Sequence, residues 1–73
     1  MIARLLADSI SVGFYAGGRW EETDRLNHGQ PFSDAADIRR IEADNLCEWW
    51  GYHVVSAWRP SLDGTAREDA EVC

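Results

Sequence analysis

Residues 31–51 read PFSDAADIRRIEADNLCEWWG, and this stretch decides the fold because it carries the clearest helical pattern in the chain. Ser33 or Asp34 can accept hydrogen bonds from the free N–H groups at its start, and acidic residues in the first turn suit the positive end of the helix dipole. Gly51 can adopt the left-handed conformation that commonly ends a helix. The sequence therefore predicts a helix from about Ser33 to Trp50.

A helical wheel of this segment, drawn at about 100° per residue, separates three sectors. The apolar arc consists of Ile38, Ile41, Trp49, Ala35 and Leu46. The flank beside it carries Trp50, Ala43, Ala36 and Cys47, and Arg39 and Glu42 interrupt the apolar surface. The polar sector consists of Asp37, Arg40, Asp44 and Glu48. We expect the apolar arc to cover a sheet, and its width indicates that loops or another chain cover the flank.

Three other stretches have the pattern of β-strands. Residues 2–6 are short and apolar, and residues 10–15 alternate between apolar and polar positions. Ala16-Gly17-Gly18 predicts a tight turn, after which residues 19–23 return as the second arm of a hairpin. Residues 52–58 are apolar on both faces, which favours a central strand. The expected fold class is α+β: a small antiparallel sheet of three to four strands with one helix packed on a face, in the order β(β)βαβ. One sheet face then stays partly uncovered.

The chain has 73 residues, which suits one domain. We assign residues 1–60 to a single compact domain. Residues 61–73 are predicted to form a flexible polar C-terminal tail because they contain Asp-Gly, several charges and little apolar bulk. Cys47 and Cys73 give no disulfide framework, so a reduced intracellular protein is expected. Without a signal-peptide pattern or an apolar run of about 20 residues, the expected location is the cytoplasm and no membrane contact is predicted.

The charge of the chain bears on its partners. The formal net charge is −6, and the isoelectric point is near 4.6. Proteins that bind a nucleic-acid backbone carry clustered positive charge instead. The composition therefore argues against direct binding to nucleic acid.

Residues that could carry chemistry are few and scattered. A metal site needs three or four ligands in a fitting geometry, and the available side chains are Cys47, His53, His28 and Cys73. Cys47 with His53 is the only candidate nucleophile and base, and Cys47 lies on the apolar flank, where buried thiols are usually inert. We therefore predict no catalytic residue, no metal and no cofactor.

Two surface features indicate protein binding. One is the array of carboxylates on the hairpin and the helix, which could imitate phosphates in an Arg/Lys groove. The other is the Trp49-Trp50 pair, since tryptophan is a favoured interface anchor. The candidate partner-binding residues are Glu21, Glu22, Asp24, Asp37, Asp44, Glu48, Trp49 and Trp50.

The first functional hypothesis is a non-enzymatic acidic inhibitor that blocks the basic nucleic-acid-binding surface of a larger protein. In size, acidity and lack of a catalytic constellation the chain is similar to small inhibitors from phages and mobile elements, such as anti-CRISPR proteins, although no motif is shared. The alternative is a small structural or regulatory subunit, for example a homodimer. A thiol enzyme built on Cys47 and His53 is the third hypothesis.

Overall fold

Five strands and one helix follow one another in the order βββαββ. A computed structural model describes residues 1–73. The elements are β1 (Ile2–Leu5), β2 (Ser9–Ala16), β3 (Arg19–Asn27), α1 (Ala36–Trp49), β4 (Arg59–Pro60) and β5 (Glu68–Glu71). The strands form one sheet in the order β3-β2-β1-β5-β4, and every neighbouring pair is antiparallel. The predicted α+β class is confirmed, whereas the number of strands and their order differ from the prediction.

The predicted hairpin is β2–β3, and it is longer than expected because residues 24–27 continue the second arm. Gly17 and Gly18 have φ angles of 60° and 77° at its turn, a conformation that glycine adopts without steric cost. The register shifts between Val12 and Gly13. A Cβ on Gly13 would lie 2.0 Å from the Glu21 carbonyl oxygen, so the irregularity requires glycine at this position.

The helix begins later than predicted and ends where expected. Neither Ser33 nor Asp34 caps it, since the preceding residue is Ala35 and no side chain accepts from the first turn. At the other end, the Gly51 N–H donates to the Glu48 carbonyl (3.0 Å) and the Tyr52 N–H to the Cys47 carbonyl (2.9 Å). These two bonds and the φ of 88° at Gly51 form a Schellman motif. With 14 residues and charges along its length, α1 falls short of what a membrane-spanning helix requires.

The prediction of a central strand over residues 52–58 is wrong. This segment is irregular and contributes a single bridge, between Val54 and Val72. The position beside β1 is taken by β5, which pairs with β1 along its whole length. Trp58 still reaches the core, and its indole N–H donates to the Asp44 carboxylate at 2.7 Å. The apolar character of the segment reflects side chains inserted from a loop, since no strand is present.

The prediction of a flexible tail over residues 61–73 also differs from the structure. Residues 61–67 form a loop, after which β5 runs as an inner strand between β1 and β4. Ala70 and Val72 belong to the hydrophobic core, and the side chains of Glu68 and Asp69 are buried as well. The polar residues of β5 can be buried because the carboxylates of Glu68 and Asp69 each have a specific partner. Arg39 and Arg40 bind Glu68, and the Leu62 N–H donates to Asp69 at 3.0 Å.

The side of α1 that faces the sheet is not the predicted one. Ala43 and Cys47 are fully buried, and Leu46 packs against the core from the side. In contrast, Ile38, Ile41 and Trp49 remain 50%, 60% and 86% exposed. Most of the predicted apolar arc therefore faces solvent, with Leu46 at its buried edge, and the flank between Arg39 and Arg40 covers the sheet.

The cause of this orientation is an ion pair between α1 and the buried carboxylate of Glu68 on β5. Arg40 donates to Glu68 through Nε (3.0 Å) and Nη2 (2.7 Å), and Arg39 Nη2 lies 3.4 Å from the other carboxylate oxygen. The two arginines are about 100° apart on the helix, with Ala43 and Cys47 between them. When both reach one carboxylate on the sheet, the flank between them must face the sheet and the opposite side must face outward.

Replacing Glu68 by glutamine tests this role. Glu68→Gln leaves two arginines without their buried counter-charge, so we expect the free energy of unfolding to fall by about 3 kcal/mol, measured by urea denaturation. Glu71→Gln on the same strand is the control, because its ion pair with Arg59 (3.6 Å) is solvent-exposed and worth less than about 1 kcal/mol. Equally small losses in the two variants would show that the pair does not position α1.

Candidate functional site

The solvent-facing side of α1 carries an apolar stripe. The stripe consists of Ile38, Ile41 and Trp49, and the polar Asn45 lies between Ile41 and Trp49 on the same face. These positions place the side chains along one face over three turns, a length of about 16 Å. Trp50, which is half exposed, lies next to the end of the stripe. Exposed large apolar side chains gathered on one helix face are typical of a protein contact surface.

An acidic edge runs along one side of the stripe. Asp37 and Glu48 are exposed and project from α1 less than a quarter turn from Ile41. Arg39 and Arg40 both bind Glu68, although Arg40 stays half exposed and its charge also acts on Asp37. At the other end of this edge, His53 Nδ1 lies 3.7 Å from Glu48 Oε1. The exposed side of α1 is therefore apolar and negatively charged.

Three of the eight predicted partner-binding residues lie on this surface: Asp37, Glu48 and Trp49. Trp50, also exposed, follows the helix and projects towards the other flank. Another, Asp44, borders the surface but has a structural role. Its carboxylate accepts the hydrogen bond of the Trp58 indole, so it ties the irregular segment to the helix. A substitution at Asp44 would change the core as well as the surface.

The three predicted acids of β3 do not join the helix surface as one patch. Glu22 accepts hydrogen bonds from the Ser11 hydroxyl and from Arg25, whose Nη2 lies 2.7 Å away. These bonds, the Ser11 bond first, lower the pKa of Glu22. Asp24 accepts from the Tyr52 hydroxyl at 3.1 Å and from the Arg25 N–H at 2.9 Å. Glu21 is exposed and forms no such contact.

The second face of the sheet holds a polar cluster that sequence reasoning missed. Arg4 is buried, lies 4.7 Å from the Trp20 ring centroid, and donates to Asp63 at 2.9 Å. The Tyr15 hydroxyl donates to the other oxygen of Asp63, also at 2.9 Å. The loop of residues 61–67 is thereby held over the sheet face that was expected to be uncovered. The sequence does contain a turn pattern at Asp63-Gly64-Thr65, which indicates an ordered loop. These residues were assigned to the flexible tail instead.

Asp63 is the centre of this loop. The Thr65 hydroxyl and the Thr65 N–H donate to its Oδ1 at 2.7 and 3.0 Å. Together with the bonds from Tyr15 and Ser61, they hold the pKa of Asp63 far below its usual range, the Thr65 hydroxyl having the largest effect. The carboxylate stays ionised over a wide pH range and keeps the loop attached to Arg4.

The proposed thiol pair has the wrong environment for nucleophilic chemistry. Cys47 is fully buried, and burial, followed by the neighbouring Asp44 charge, raises its pKa to about 12. A thiol nucleophile reacts as the thiolate, which this environment disfavours. His53 lines a shallow depression with Glu48, Gly51 and Tyr52, and Cys47 does not reach it. No three His, Cys, Asp or Glu side chains are grouped so that they could hold a metal ion.

No protein-family model, curated protein or solved structure matches this chain.

The reactivity of the two thiols is directly measurable. In a Cys73→Ser variant we expect Cys47 to react with a dithiobis-nitrobenzoate reagent only as fast as the protein unfolds, because the thiol is buried and protonated. The matched Cys47→Ser variant should react at once through Cys73, which is exposed. Rapid reaction of Cys47 in the folded protein at neutral pH would contradict this and favour the thiol-enzyme hypothesis.

The Asp63 contacts predict a specific acid sensitivity. A carboxylate whose pKa is lowered by folding stabilises the protein above its unfolded pKa, near 4, and loses this contribution as pH falls further. The thermal midpoint of the wild type should therefore fall more steeply below about pH 4 than that of Asp63→Asn. Asp8→Asn is the control, since its carboxylate makes no side-chain hydrogen bond. Parallel pH profiles for wild type and Asp63→Asn would refute the assignment.

Proposed function

We propose that this protein is a small acidic binding protein that inhibits a larger protein by occupying its basic nucleic-acid-binding surface. One observation carries the proposal: the exposed side of α1 presents Asp37 and Glu48 beside apolar anchors, while both arginines of the helix are bound to Glu68. Both arginines of the helix already have a carboxylate partner in Glu68, whereas Asp37 and Glu48 make no side-chain hydrogen bond and are open to a partner.

Carboxylates on a helix are suited to this task. The backbone of α1 is rigid, so the spacing of Asp37 and Glu48 is fixed in the way that phosphate spacing is fixed along a strand. The net charge of −6 steers the protein towards a positive surface and raises the association rate at low salt. A groove lined by arginine and lysine, which evolved to hold phosphates, fits such a surface.

The alternative is a homo-oligomeric subunit, and the exposure of Ile38, Ile41 and Trp49 is the observation in its favour. Charge opposes it. Two copies of α1 packed through this side would bring acidic edges together while both helix arginines bind Glu68, and like charges in contact are destabilising. A catalytic role for Cys47 receives no support from its burial and raised pKa.

The test combines capture with a functional assay. Proteins from the native host or its natural target cell are captured with the wild type and with the double variant Asp37→Arg/Glu48→Arg. The captured protein should bind nucleic acid, and titration with the wild type should displace that nucleic acid. The double variant should bind at least about tenfold more weakly, as expected when close charge pairs at an interface are lost.

The control is Asp8→Arg/Glu71→Arg, which changes the net charge by the same amount at sites away from α1. If this control weakens binding as much as the α1 variant, only the total charge matters and the assigned surface is wrong. A captured protein that keeps its nucleic acid at saturating inhibitor would contradict the proposed mode of inhibition.

A further inference from the structure

The apolar stripe of α1 has no role in an interaction based on charge alone. Ile38, Ile41 and Trp49 are large apolar side chains held in water on the most regular element of the fold. Their burial against a partner would remove apolar surface from water, at roughly 25 cal/mol per Å². An acidic protein that worked only by attraction to a basic groove would not need them.

We propose that α1 docks lengthwise through this stripe onto an apolar strip of its partner that is bordered by lysine or arginine side chains. The inference rests on the proposed function and specifies the recognition mode: a helix laid into a groove with anchors at regular helical spacing. The stripe supplies the anchors, Ile38, Ile41 and Trp49. Asp37 and Glu48 pair with the basic border.

Charge complementarity favours a partner strip with basic borders, and not a second copy of this chain, as the structure that covers the stripe. In an antiparallel pair of α1 helices, the edge with Asp37 and Glu48 would face the same edge of the other copy. In a parallel pair, it would face Glu42. In both arrangements each helix arginine already binds the Glu68 of its own chain, and the half-exposed Arg40 is the single cation near Asp37. A partner strip with basic borders satisfies the same acids.

The probe is a synthetic amphipathic peptide made only of leucine and lysine, with leucines at helical spacing and long enough to cover the stripe. A second peptide of identical composition has its leucines scattered, so that it has the same charge without an apolar face. Binding of the full-length protein to each is measured by calorimetry. We expect the amphipathic peptide to bind at least about tenfold more tightly than the scattered one.

Variants assign the binding to the stripe. Ile41→Ser and Trp49→Ser should each weaken binding of the amphipathic peptide by about tenfold, the effect of losing an anchor residue, and should leave the thermal midpoint unchanged. Leu62→Ser is the matched control, because Leu62 is 61% exposed and Ile41 is 60% exposed. It should bind as the wild type does.

Three outcomes would overturn the inference. Equal affinity for the two peptides, lost on Asp37→Arg/Glu48→Arg, would mean that charge alone drives binding, and the proposed function would survive without the stripe. Binding to neither peptide would exclude this docking mode. The proposed function would then be tested by the capture experiment alone. Sedimentation showing a dimer that tightens with salt and dissociates on Ile41→Ser would make a second copy the occupant, since salt screens repulsion between acidic edges.

Discussion

Glu68 lies between the sheet and α1 with 5% of its surface exposed, and a carboxylate in that position requires a counter-charge. Arg39 and Arg40 supply it from α1 across 29 and 28 positions of the chain. A buried ion pair of this kind adds little net stability compared with apolar packing, whereas an arrangement that leaves one partner unpaired is strongly destabilised. The pair therefore acts on the orientation of the helix. It selects the one rotation of α1 in which both arginines reach β5.

The helix surface follows from that rotation. The side that could have covered the sheet with isoleucine and tryptophan faces water, and the sheet is covered by Ala43, Cys47 and Leu46. The core stays small, and Phe32 and Trp58 add to it from the connecting segments. On the second sheet face, Arg4 and Asp63 hold the 61–67 loop in place. The exposed side of α1 is the surface that carries the proposed interaction.

Sequence reasoning succeeded where short-range rules apply. The Gly17-Gly18 turn, the helix end at Gly51 and the α+β class all depend on residues close together in the chain. It also identified Asp37, Glu48, Trp49 and Trp50 as surface candidates, although Trp49 was equally counted among the residues expected to cover the sheet. It failed over residues 52–73. There, apolar residues suggested a strand where a loop inserts Trp58, and charged residues suggested a tail where β5 pairs with β1.

By itself, the sequence determined that the protein has one helix after a hairpin, where that helix ends, and that the surface is acidic. These properties depend on local spacing and on composition. Only the tertiary structure decided which side of α1 is buried and that Glu68–Glu71 lies inside the sheet. The physical reason is that burial of a charged residue depends on whether a counter-charge reaches it. Arg39, Arg40 and Glu68 meet only after the chain has folded.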